Sequence, residues 1–499
     1  GRVDKAAGGR MDLPPRAAGS GRVDKAAGGR MDLPPRAIGA GLQALLAAAV
    51  ILATLALYWP SIHFPLVNWD DPTYITENRL IRRLAPANLM EIFAKPYFAL
   101  YIPFTLLSYA IDYQWTLHDP TGYHLTNVLL HTANTALVYA VVAQATGSWL
   151  AALCVSLIFG VHPLQTESAV WIAERKNVLS SFFFLLSFLA YARSKVSGKK
   201  GLFSVLALGT FLAACFSKPN VVVAPLVFVA YDLTHGHFDP KRLGRYVPYF
   251  LVSLAFALVT VLITRGEGKL AYHGGGFAAT MLTMTVVMMK YVELLVFPAR
   301  QSLLYEFPDF PAPLPLALSL LGLLGIAAGL VWLGSKEKKL FFWGAWYFIL
   351  LLPVMNLIPF PSLMNDRYLY LPMVGFFTLV FLLVGRKTGP GGLITLAVAA
   401  AAVFLFFNVK RQAAWAQPER LWLETQAKVK QEATAPYVNL GMHYLEKGDP
   451  DKAIGEFLNS FKVRETAGAH SGLGIAYFNK GDRGKAIEHF QKAVALEPE

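Results

Sequence analysis

The chain has 499 residues, 55% of them hydrophobic and 15% charged, with mean hydropathy +0.44 and a formal net charge of +13. An ordinary soluble chain carries about 25% charged residues, so this composition excludes a soluble cytosolic enzyme and predicts a polytopic α-helical membrane protein. The basic excess gathers in short segments between apolar runs, the pattern of positive-inside loops, and excludes a nucleic-acid partner.

In chain order, GRVDKAAGGRMDLPPRA occupies 1–17 and recurs letter for letter at 21–37. With so little apolar surface, 1–37 reads as a disordered tail or a duplication artefact outside the fold. Residues 38–409 carry the membrane domain. Eleven spans are predicted, over 38–59, 122–144, 148–163, 177–193, 201–216, 219–234, 246–264, 313–334, 340–358, 368–386 and 391–409. Segments 101–117 and 277–297 are taken as re-entrant or juxtamembrane, because only then do RSKVSGKK (193–200), DPKRLGR (239–245), SKEKK (335–339) and GRK (385–387) all fall in the cytoplasm. Cys154 and Cys215 lie inside apolar runs and read as packing residues.

That topology places the polar loops on one outer face, together with everything after 410. Residues 410–433 read as a helical connector. Over 434–499, Leu440, Gly441, Tyr444, Gly448, Ala453 and Phe457 recur 33 residues later as Leu473, Gly474, Tyr477, Gly481, Ala486 and Phe490. Small residues at that period mark two tetratricopeptide repeats, fewer than the three or so that bury a full superhelical core. Tyr437, Tyr444 and Tyr477 are the candidate protein-binding residues of this segment.

Asp70 and Asp71, in FPLVNWDDPTYI after the first span, read as a general base or a metal-binding pair, or else as a turn capping the helix that follows Pro72. Oxygen ligands there would suit Mg²⁺ or Mn²⁺. Glu167, Arg175 and Lys176 cluster in HPLQTESAVWIAERKN (162–177), where two cations suit a phosphate. Lys218 and Arg367, the latter beside Tyr368, could each hold a lipid phosphate or simply snorkel. His124, Asn127, His131 and Asn134 form a polar stripe on one helix, read as interhelical hydrogen bonding. No P-loop, Rossmann glycine pattern or nucleophile elbow is present in the sequence, so an outer-face enzyme would draw on a preactivated donor such as a polyprenyl-phosphate sugar.

The series FPLVNWDDPTYITEN, YIPFTLLSYAIDYQW, GYHLTNVLLH, FGVHPLQTESAVWIAERKNVLSS, FSKPN and NDRYLYLPMVGF, followed by the repeats, resembles the transmembrane and tetratricopeptide-repeat-containing O-mannosyltransferases, bacterial members above all. This resemblance implies a GT-C-like helical bundle in the inner membrane of a bacterium. It implies transfer of mannose or a similar hexose from a polyprenyl-phosphate donor to Ser or Thr of a protein acceptor on the outer face. By the same resemblance Asp70, Asp71 and Glu167 would be catalytic, with Arg175, Lys176, Lys218, Arg367 and Tyr368 around the donor phosphate. Asn365-Asp366 stands where the family more usually has Ala-Glu. The alternatives are a non-catalytic membrane-anchored scaffold and a lipid-linked-glycan transporter or ligase.

Overall fold

The computed structural model describes residues 39–266, 271–360, 362–429 and 433–497; the tail at 1–37 and Pro498 of the second repeat lie outside these. Among the described residues the chain is all-helical, with a lone bridge between Tyr97 and Leu100 as its only strand-like pairing. Eight helices are long and apolar enough to cross a bilayer, and a bent pair, Trp149–Val161 with Pro163–Val170 at 55°, would make a ninth.

Local chemistry sets the helix ends. Asp119 caps Pro120–Thr146 by accepting from the Thr121 N–H, and Pro120 supplies the preset φ of a first turn. Gly147 closes that helix at φ 73°, and the Ser148 side chain caps the next by accepting from the Ala151 N–H. Two residues therefore reverse the chain between two packed helices.

The differences from the expected eleven spans have physical causes. Segment 277–297, expected to lie along the surface, is a regular 20-residue helix, Phe277–Val296, with Lys290 and Glu293 both on its exposed side. Segments 219–234 and 340–358 contain helices of only 12 and 14 residues, Ala224–His235 and Lys338–Leu351, extended by single 3₁₀ turns beside Pro219 and Pro353. Each is short against the roughly 20 residues a span needs. The last apolar stretch, Pro372–Trp415, breaks at Gly389 (φ 69°) and Pro390, where the chain leaves helical geometry between the predicted spans 368–386 and 391–409.

One apolar core, rich in Phe188, Phe228, Phe342 and Trp346, fills the bundle, and a second gathers at the end where the first loop lies. That second core contains Ile75, Trp171, Trp415, Trp422 and Leu440, so it joins the first loop, the bundle, helix Pro418–Val429 and the first repeat helix, Ala435–Glu446. In the repeats, a Cβ on Gly441 or Gly472 would come within 2.6 or 2.3 Å of the Phe457 ring. Only glycine lets these helices approach so closely.

Candidate active site

Asp71 organises the site without facing it. Fully buried, it accepts the Val67 N–H on one carboxylate oxygen and the Ala173 N–H on the other, both at 2.9 Å. These bonds clamp the first loop onto the turn at 171–174. Burial pushes the Asp71 carboxyl up to about 7, against the two N–H donors that favour its anion.

With Asp71 turned inward, Asp70 points the other way, into a cavity of about 280 Å³ that it shares with Tyr74, Glu174, Lys176, Lys218, Arg367 and Tyr368. Glu174 holds the charges of this cavity together. Its carboxylate is 3.0 Å from Lys218 Nζ, 3.4 Å from Lys176 Nζ and 3.3 Å from Arg367 Nε. Asp70 lies 3.9 Å from Lys176 Nζ and has no closer cation among the described residues, leaving an oxygen toward the cavity. Burial raises the Asp70 carboxyl above its usual range, with Lys176 pulling the other way. Lys176 also stands over the Tyr74 ring at 4.8 Å. Burial lowers the Lys218 ammonium to about 8 even beside Glu174.

Three cations and two carboxylates buried in one cavity are costly, and such clusters persist where a function uses them. Away from these charges the same cavity is lined by Phe98, Leu100, Pro219 and Phe360. The cavity thus has a charged end and an apolar side.

Several expected residues are not in the cavity. Arg175 is turned to the opposite side of its helix and is fully buried, ion-paired with Asp112, donating to Asn127 Oδ1 at 2.8 Å and to the Tyr123 carbonyl at 2.6 Å, and stacked over Tyr109. Consecutive helix positions diverge by about 100°, so Arg175 and Lys176 cannot share one ligand. Glu167 is buried behind Arg367 and ion-pairs with its guanidinium, outside the cavity lining. Asp366 faces away, accepting from Tyr305 Oη at 2.6 Å and Gln301 Nε2 at 3.0 Å.

The metal pair expected of Asp70 and Asp71 does not fit this geometry. Both Asp71 oxygens are taken by backbone N–H groups, Asp70 faces a lysine, and no group of three His, Cys, Asp or Glu among the described residues could hold a metal ion. Conversely, Glu174 was not singled out from sequence, although it sits inside AERKN. Its signal was a carboxylate directly before two cations at the edge of an apolar run.

The polar stripe joins helices. Asn127 donates to the Trp171 carbonyl at 3.0 Å, His131 Nδ1 lies 2.8 Å from Tyr370 Oη, and Asn134 donates to the Val178 carbonyl at 2.9 Å. Of the repeat tyrosines, Tyr444 donates to Glu419 at 3.0 Å, Tyr477 stacks on His489 at 5.5 Å, and Tyr437 is half-buried. Tyr444 thus spends its hydroxyl, and Tyr477 its ring, on contacts inside the repeat and connector.

The repeats touch the site through the first loop. Asn68 donates to the Asn439 carbonyl at 2.7 Å and accepts from Trp422 Nε1 at 2.8 Å. Trp69 lies against Trp171 and Trp422, with ring centroids 5.6 and 5.5 Å away. Asp70 therefore follows two residues clamped between bundle, connector and repeat.

Fold and site define a multi-pass helical membrane protein with tetratricopeptide repeats packed at the same end as a buried charged cavity. Residues 467–499 match the tetratricopeptide repeat model. The chain is 26% identical over 280 residues to the human protein O-mannosyl-transferase TMTC3, covering 53% of this chain and 28% of that protein. It is 26% identical over 421 residues to human protein O-mannosyl-transferase TMTC4, covering 71% of this chain and 56% of that protein. The chain is thus similar in sequence to these protein O-mannosyl-transferases, and spans between about a quarter and just over half of their length. Among solved structures, the oligosaccharyltransferase of Archaeoglobus fulgidus aligns over 82% of this chain and 58% of its own, at 14% identity and TM-score 0.41.

Proposed function

We propose that this protein transfers a hexose, mannose in the first instance, from a polyprenyl-phosphate donor to a Ser or Thr hydroxyl of a protein acceptor on the outer face of a bacterial inner membrane. One observation carries the proposal: a single open carboxylate, Asp70, shares a cavity with Lys176, Lys218 and Arg367, and that cavity has an apolar side built from Phe98, Leu100 and Phe360. The homology to protein O-mannosyl-transferases supplies the reaction class.

In this proposal Asp70 takes the proton of the acceptor hydroxyl as its oxygen attacks the anomeric carbon. The bond from that carbon to the phosphate oxygen breaks, and the polyprenyl phosphate departs with the electron pair and with inversion. Lys218 and Arg367 stabilise the charge gathering on the leaving phosphate, from positions already set by Glu174 and Glu167. Lys176 stands between Asp70 and Glu174 and keeps the base ionised. Tyr368 lines the donor side, and the apolar side of the cavity takes the first isoprene units. The repeats would bring the acceptor to the end of the bundle where Asp70 lies.

The test is transfer of label from polyprenyl-phosphate-mannose to a Ser/Thr-rich peptide by the purified chain in lipid. Labelled peptide, released as hexose by β-elimination, is the expected result. Donor binding without transfer to any acceptor, across a panel of hexose donors, would favour a scaffold and overturn the proposal.

A further inference from the structure

A second recess lies on the far side of Asp366 from the cavity. It has a volume of about 270 Å³ and is bounded by Pro298, Ala299, Phe407, Lys410, Arg411 and Lys428. Its cations come from two elements: Lys410 and Arg411 near the end of the last apolar helix, and Lys428 near the end of helix Pro418–Val429.

The charges here are unbalanced. Glu424, the one carboxylate on the wall, is already held by Arg420 at 2.9 Å. Arg411 is 6% exposed, yet its Nε and one terminal nitrogen make no hydrogen bond. Its nearest carboxylate, Asp366, is 3.9 Å away and is occupied by Tyr305 and Gln301. Among the described residues Lys410 and Lys428 form no ion pair, and Lys428 gives one of its three donors to the Gln301 carbonyl. Burial, and after it the Arg411 charge, holds the Lys428 ammonium below its usual range. A buried guanidinium with orphaned N–H groups, facing two further cations, is short of an anion.

The surroundings say which anion. Phe297, Phe406 and Val409 beside the recess are 58, 67 and 54% exposed, as side chains facing acyl chains would be. The recess opens where that apolar belt gives way to cations, the depth of lipid phosphates. A guanidinium fork flanked by ammonium groups matches phosphate oxygens.

We propose that this recess binds the phosphate of an anionic phospholipid, with Arg411 as the buried anchor and Lys410 and Lys428 as its outer clamps. The bound headgroup would tie the connector helix to the last span, across the joint between Trp415 and Pro418.

The test is native mass spectrometry of the full chain from detergent, titrated with phosphatidylglycerol or phosphatidylcholine, with inorganic phosphate as competitor. Wild type should retain phosphatidylglycerol in preference to phosphatidylcholine. The Lys410→Gln/Lys428→Gln variant, which removes two cations and no buried packing, should bind it about thirtyfold more weakly at unchanged Tm. Arg411→Gln should abolish the preference. Displacement of the lipid by inorganic phosphate would support the phosphate group as the feature recognised. Undiminished binding of phosphatidylglycerol to the double variant overturns the proposal. Binding of inorganic phosphate without lipid preference overturns its lipid assignment.

Discussion

Asp70 and Asp71 are adjacent and chemically identical, yet the structure gives them separable tasks. Replacing each by Asn is the sharpest test of that. Among the described residues no backbone N–H donates to the Asp70 carboxylate, and the side chain is 19% exposed, so Asp70→Asn removes a proton acceptor and little else. Such a change should leave stability within about 0.5 kcal/mol of wild type. Loss of a general base lowers turnover by about a hundred- to ten-thousand-fold. Asp71→Asn keeps one carbonyl oxygen for the N–H groups of Val67 and Ala173 and turns an NH₂ toward the other. One buried donor then goes unsatisfied, at a cost of about 1–3 kcal/mol, and the clamp that aims Asp70 loosens. The assay pairs sugar transfer to peptide with thermal unfolding of the same preparations. Asp70→Asn should be inactive at wild-type Tm, whereas Asp71→Asn should lose Tm and activity together. An active Asp70→Asn protein would refute the assignment of the base. An inactive Asp71→Asn protein of unchanged Tm would refute the division of labour and give Asp71 a direct part in the chemistry.

The pH dependence of kcat/KM should be bell-shaped. Activity should fall on acidification as Asp70 takes up a proton, at a midpoint above the ordinary carboxylate range, and fall again as pH rises through about 8 and Lys218 loses its charge; Lys218→Arg, which stays charged, should remove the alkaline limb. Arg175→Met should leave Asp112 buried without its cation and cost roughly 3–5 kcal/mol, read as lower Tm and yield, while donor KM of the protein that folds stays unchanged; a raised donor KM at wild-type Tm would return Arg175 to the phosphate. Asn68→Ala removes the bonds to Asn439 and Trp422, so amide exchange over 435–446 should quicken while the apolar helices keep their protection. Unchanged exchange there would show that Trp69 packing alone holds the repeat.

Sequence and tertiary structure contribute differently to this picture. Hydropathy and the 33-residue repeat made the helical membrane class and the repeats legible, because both depend on local periodicity that survives without knowledge of neighbours. The motifs around Asp70, Lys176, Lys218 and Arg367 were legible as charges where apolar chain makes charge expensive. The polar stripe of Asn127, His131 and Asn134 was readable too, since helical spacing alone puts them on one face. Which charges meet was not readable. Arg175 and Lys176 are neighbours in sequence, and only the helix phase sends one to Asp112 and the other to the cavity. Asp70 and Asp71 read as a pair, and only the approach of the 171–174 turn, 102 residues away, occupies Asp71 and frees Asp70. Glu174 becomes the centre of the site because three cations from separate segments converge on it. The span count differs for a related reason: a hydropathy window counts apolar residues but does not sense where Pro219 or Pro353 interrupts the helix, whereas the break at Gly389-Pro390 falls between two predicted spans. Local pattern is written in consecutive residues, whereas pairing of buried charges depends on contacts that only the folded bundle creates.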